Sequence, residues 1–192
     1  MRATGARREG DVWKGLAAGA VGGLAAAFVM NRYQALLSRR LAGEERAHGA
    51  QSLQQGAPRH GVARALQERG ADDERDDAAE RAAAGLAAEV FDERLTEREK
   101  DAAGTLVHYA FGVTTGAAYG AAVELLPAAR AGAGVPFGAF VWLTADEGIV
   151  PLLGLSKSAD DYTPATHLYS LTSHLVYGLT AELVRRAVRA AL

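Results

Sequence analysis

The chain has 192 residues, 23% of them charged, a formal net charge of −2 and no cysteine, which excludes a disulfide framework, a thiolate metal site and a dithiol redox couple. No basic stripe with interleaved aromatics is present, so nucleic acid is not an expected partner. The mean hydropathy of −0.04 averages over a strong segregation: charge is concentrated in 39–101 and at the two ends, while 15–30, 104–126, 131–155 and 162–184 carry few ionisable groups.

Each of those four runs is close to the ~20 residues that cover a ~30 Å hydrocarbon core at a rise of ~1.5 Å per residue. The expected fold is therefore all-α: a bundle of four transmembrane helices with small-residue seams of the GxxxG kind and an Ala-rich amphipathic helix before the second span. A soluble bundle of Ala- and Gly-rich core helices is the alternative. The organisation read from the sequence is an N-terminal segment with the first span (1–40), a polar loop with the amphipathic helix (41–95), and three further spans (96–192).

The first helix is expected to start near Asp11, with Trp13 as an interface anchor. Gly15, Gly19, Gly23 and Ala27 recur along it every fourth residue, a spacing that lets another helix approach closely. The run starts too deep, and is followed by too much polar chain, to be a cleaved signal, so it is read as a permanent span. Residues 41–80 show no apolar periodicity and read as a polar loop. From 78 the chain is Ala-rich, and Leu86, Val90 and Phe91 mark one apolar face of a helix lying on the membrane surface or capping the bundle.

Thr96-Glu97-Arg98-Glu99 fits a capping box, with Thr96 as N-cap, and Pro127 ends the second span after Leu126. Gly112, Gly116 and Gly120 supply that span with its own seam. The third span is expected to be interrupted by Pro136 near its start and by Gly148 and Pro151 near its end, leaving a central piece barely long enough to cross; Gly134 and Gly138 are further close-packing positions. Broken helices at membrane depth often line a binding site. Thr163-Pro164 opens the fourth span with an N-cap followed by proline at the first helical position, and Arg185, Arg186 and Arg189 mark its end.

An even number of spans puts both termini on one side, and the basic residues at 2–14, 130 and 185–189 favour the cytoplasm for that side. Whichever way the chain faces, the second span starts, the third ends and the fourth starts at the same membrane face. Counted inward, His108, Asp146, Glu147, His167 and His174 then lie within about 16 Å of that interface. A buried charge costs roughly 2.5–3.5 kcal/mol on insertion scales, so intramembrane acids are retained chiefly where they face other helices or a wet cavity.

These five residues are the candidate proton-relay or binding site. Imidazole and carboxylate titrate or coordinate without thiols, so a His/carboxylate-bound metal is a weaker variant of the same reading; no cofactor is otherwise expected. His167 and His174, seven residues apart, are roughly 10 Å apart along one helix face, too far to ligate one metal together. Consecutive helical residues diverge by about 100°, so only one of Asp146 and Glu147 is expected to face a given neighbour, with Asp146 preferred because it continues the row of Gly138 and Trp142. The structural alternative makes the acids caps of a broken helix end and the histidines interhelical hydrogen-bond partners. Glu124 and Glu182 read as ion pairs at the opposite interface, near Arg130, Arg185 and Arg186, with Glu182 contributing little to activity. No HExxH or repeated Glu-x-x-His pattern occurs, so an enzyme is the less favoured class.

The segments HYAFGVTTGAAYGAAVELLP (108–127), FVWLTADEGIVPLLGL (140–155) and SHLVYGLTAELVRR (173–186) resemble the YagU-type family of bacterial inner-membrane proteins, a domain of unknown function. The likeness covers roughly 12–30 and 96–189. It implies a small multi-pass protein of the inner membrane, surrounded by lipid, and brings no catalytic residue to transfer. The position matching Asp146 is similar to one held by His in relatives, and Ser170 stands where an acidic residue precedes the matching His. Two functions remain open from the sequence: a proton or small polar solute pathway built on the His/carboxylate cluster, and a structural or accessory protein that forms a homo-oligomer or docks to a larger membrane complex through its glycine rows.

Overall fold

The computed structural model describes residues 2–41, 80, 82–84, 96–153 and 162–192. Among these residues every regular element is helical: α1 (Arg2–Leu41), α2 (Glu97–Leu125), α3 (Val135–Thr144) and α4 (Pro164–Ala191). The loop expected over 41–80 and the apolar face at Leu86, Val90 and Phe91 lie outside the described residues. Within that Ala-rich stretch, 82–84 are helical, and Ala83 and Ala84 are buried.

α1 begins well before Asp11, because the Arg-, Ala- and Glu-containing segment ahead of it is made largely of good helix formers. α2 begins after Thr96, which Glu99 ties to the first turn: the Glu99 carboxylate accepts from the Thr96 backbone N–H at 2.8 Å and from its hydroxyl at 2.7 Å. Those two bonds hold the Glu99 carboxyl below its usual pKa. Pro127, lacking an N–H to donate, follows the last turn of α2.

The third helical run departs from the sequence expectation at its start, while its α winding is interrupted around Gly148 and Pro151 as expected. Pro136 does not interrupt it; it sits in the first turn of α3, where no N–H is required. The regular α-helix is only 10 residues long, because a π-helical turn, Ala145–Ile149, follows it directly and leads into a single α turn, Val150–Leu152. α4 opens as its sequence indicates, with the Thr163 hydroxyl accepting from the Thr166 N–H at 3.3 Å and Pro164 at the first position. Among the described residues one stretch, Asp11–Leu37 of α1, is long and apolar enough to cross a membrane by length and composition.

The chain divides into two compact units. The first comprises Met1–Ala35, Tyr109–Val141 and Leu171–Leu192. Here Gly15, Gly19 and Gly23 of α1 lie directly against Gly120, Gly116 and Gly112 of α2, with no space for a side chain on either side. A second close contact joins α3 and the residue before it to α4, where Gly134 and Gly138 meet Gly178. Gly134 has φ +84° and its backbone abuts the Gly178 carbonyl, so both its conformation and its lack of a Cβ are required. Ala26, Met30, Tyr177 and Ala181 form the core with Phe137 packed on it, and Tyr119 stacks on Phe137 with ring centroids 4.1 Å apart.

The second unit comprises Leu36–His108 and Trp142–Ser170. It contains the first turns of α2 and α4 and the whole π-helical turn. Glu80 packs against Gly104 of α2, leaving no space for a Cβ there.

Candidate functional site

The π-helical turn places two carboxylates in succession inside the second unit. Opposite them, the Thr163 cap and Pro164 start α4 so that His167 and Ser170 fall three residues apart, about one turn, on one face. Glu147 Oε1 lies 2.6 Å from His167 Nδ1, with both side chains largely buried. The Ser170 hydroxyl, 4% exposed, donates to the Asp146 carboxylate through a short hydrogen bond. Tyr162 is buried with its ring edge-on to the His167 imidazole, centroids 6.2 Å apart.

The expectation that only one of the two acids faces a given neighbour is therefore corrected. Both reach α4, because the π winding changes the angular step between them and because α4 offers partners one turn apart. His167 is brought into contact with Glu147. His108 is half-buried on α2 in the same unit. His174 belongs to the first unit, where it is buried and its main-chain carbonyl packs against Gly138. Among the described residues no three His, Asp or Glu side chains come together to hold a metal ion.

What this arrangement supports chemically is proton exchange and cation attraction. An imidazole and a carboxylate joined by a 2.6 Å hydrogen bond can pass a proton between them. The neighbouring carboxylate, accepting from a buried hydroxyl, adds a second negative group whose geometry is fixed by a residue that does not itself titrate at physiological pH.

The first unit holds a polar cluster of a different kind. Glu182 and Glu124 pair with arginines as their spacing indicates, and Glu182 is enclosed by the protein, 0% exposed. Arg185 grips its carboxylate with Nε at 2.7 Å and a second nitrogen at 3.0 Å, and Arg186 Nε adds a bond of 2.5 Å. Glu124 pairs with Arg189 at 2.7 Å, and Arg189 also reaches Asp11 at 3.1 Å. Arg130, expected in this network, is exposed. The available sequence signal was the spacing of Glu182, Arg185 and Arg186, since residues three and four apart share a helix face. No spacing signal in the sequence links Ser170 to Asp146, because a lone serine carries no pattern.

Residues 74–183 match the family described as "Protein of unknown function (DUF1440)". No curated protein and no solved structure matches the chain.

Proposed function

This chain belongs to the DUF1440 family, whose function is unknown, and from that premise we propose that it is a multi-pass membrane protein whose paired carboxylates handle protons or a small cationic solute. One observation carries the membrane part of this reading: the distribution of side chains is inverted relative to a water-soluble bundle. The largest fully buried side chains are Glu182, Thr166 and Ser173, while Leu24, Phe28, Leu106, Phe140 and Leu168 point outward along all four helices. In water, polar groups this large are rarely enclosed while leucine and phenylalanine are left outside. In lipid the arrangement is the expected one, because helices associate through small and polar residues and turn their large apolar residues to the acyl chains.

The four spans, the inner-membrane location and the likeness to YagU-type proteins belong to the same proposal. Arg189 touches both Asp11 and Glu124, so within the first unit the start of the apolar part of α1 meets the ends of α2 and α4. That supports a topology in which the termini and the 127–134 connection share one face, and the basic residues there favour the cytoplasm. For the site, Asp146 with Ser170 and Glu147 with His167 are the working pairs, with His108 and His174 as further relay candidates.

The accessory-protein alternative would use the glycine rows to bind another chain. Those rows are occupied by one another inside the first unit, so such a role would need a different surface. The test of the proposal is recovery in the carbonate-resistant membrane fraction, followed by thiol labelling of single cysteines in this cysteine-free chain. Positions 5 and 130 should label from one side and positions 50 and 159 from the other. Quantitative recovery without detergent, or labelling of 50 and 159 from opposite sides, rejects the membrane topology.

A further inference from the structure

The segment that carries both acids is wound differently from the helices around it. In Ala145–Ile149 the Val150 N–H reaches back five residues to the Ala145 carbonyl, a winding found mostly as isolated turns, frequently at functional sites. Its cause can be read from the sequence. Pro151 has no N–H, and in an uninterrupted α-helix its ring would collide with the carbonyl four residues earlier, that of Glu147. Widening the turn relieves that collision.

Gly148 is exposed, and among the described residues a Cβ there would meet only the Leu143 carbonyl, at 3.4 Å, so these contacts do not demand glycine at this position. What glycine supplies is backbone freedom. Rewinding the turn into α form changes the step between successive residues, which in an α-helix is about 100°. Both contacts to α4 start from this one turn, so a change in its winding alters how the two acids are presented to α4.

We propose that Ala145–Ile149 is a register switch. Wound as a π turn, it holds Asp146 on Ser170 and Glu147 on His167; wound as α, it releases both carboxylates together and frees them for the proton or cation they serve. Pro151 weights the equilibrium toward the paired state, while the better hydrogen-bond geometry of the α-helix favours release. The inference rests on the carboxylate reading above and concerns the regulation of that site.

Its test does not require transport. Pro151→Ala removes the collision and should shift the turn to the α form. In the full-length protein in detergent, Ser170→Ala and His167→Ala should each lower the melting temperature in the wild-type background and have no effect in the Pro151→Ala background. Equal penalties in both backgrounds, zero included, overturn the switch. Should Pro151→Ala fail to fold, Gly148→Ala provides the second arm. Amide exchange over 142–153 should slow several-fold as the turn loses backbone freedom, and unchanged exchange overturns the proposal. A wild-type protein that moves no protons in vesicles while the melting coupling is present keeps the switch and rejects the transport reading; proton movement without that coupling rejects the switch alone.

Discussion

A Cβ placed on Gly116 of α2 would stand 2.6 Å from the Cα of Gly23 on α1, closer than real side-chain atoms approach. The two helices therefore touch backbone to backbone, and dispersion between main-chain atoms replaces the interlocking of large side chains. Gly116→Leu should force α1 and α2 apart and destabilise by about 1–3 kcal/mol or more, the range for overpacking. Leu106, on the same helix, is 70% exposed, and Leu106→Ala should stay within about 0.5 kcal/mol. Thermal melting in detergent compares the two, and equal losses would show that the glycine contact contributes nothing particular to stability.

The Glu182 cluster leads to an asymmetric pair of outcomes. Glu182→Gln leaves Arg185, itself buried, without its carboxylate, and breaking a buried pair from one side typically costs about 3–5 kcal/mol. Replacing both partners, as in Glu182→Gln with Arg185→Gln, removes the uncompensated charge and should recover much of that loss. Arg186 is half-exposed and can turn outward to polar surroundings. If the double variant melts lower than Glu182→Gln alone, the pair is not the unit that matters.

At the start of α2 the dependence is on pH. The Glu99 carboxyl is held below its usual pKa, first by the Thr96 hydroxyl and then by the Thr96 N–H. A depressed folded-state pKa means that the contribution is present above the ordinary carboxylate range and lost as pH falls through the folded value. Amide protection in the first turn of α2, taken relative to the unprotected chain at the same pH, should therefore fall on acidification below that range. Glu99→Gln, which has no proton to gain, should show no such step, and an identical acid step in the variant would place its origin elsewhere.

How far the sequence disclosed this molecule depends on the kind of feature. Local chemistry was legible: Thr96 with Glu99, Pro127, and Thr163 with Pro164 mark helix ends through groups within four residues of one another. Fourfold spacing marked the glycine rows, although it could not say which rows would face each other. Gly148 and Pro151 mark the interruption of the third span, but not its π form, because periodicity reading assumes one helical pitch; the same assumption makes Asp146 and Glu147 look mutually exclusive. Counting along a helix gives the height of Glu182 but not its enclosure, which comes from distant parts of the chain: a Cβ on Gly134 would stand 2.8 Å from Glu182 Cβ, and Tyr119 of α2 lies beside it.

The decisive experiment for function concerns Asp146. Asparagine keeps the size of the side chain and an oxygen that can accept from the Ser170 hydroxyl, so folding should survive Asp146→Asn with a change in melting temperature of only a few degrees. What it loses is the exchangeable proton and the negative charge. If the carboxylate carries protons, initial proton flux into proteoliposomes under an imposed gradient should fall at least tenfold. Glu147→Gln should do the same, because the amide can still occupy the place opposite His167 but can no longer exchange a proton with it. Leu168→Ala, on the outward face of the same turn of α4, serves as the control and should leave flux within twofold. Normal flux in Asp146→Asn and Glu147→Gln would make the acids structural partners of α4. A wild-type protein that moves no protons would remove the pathway reading altogether.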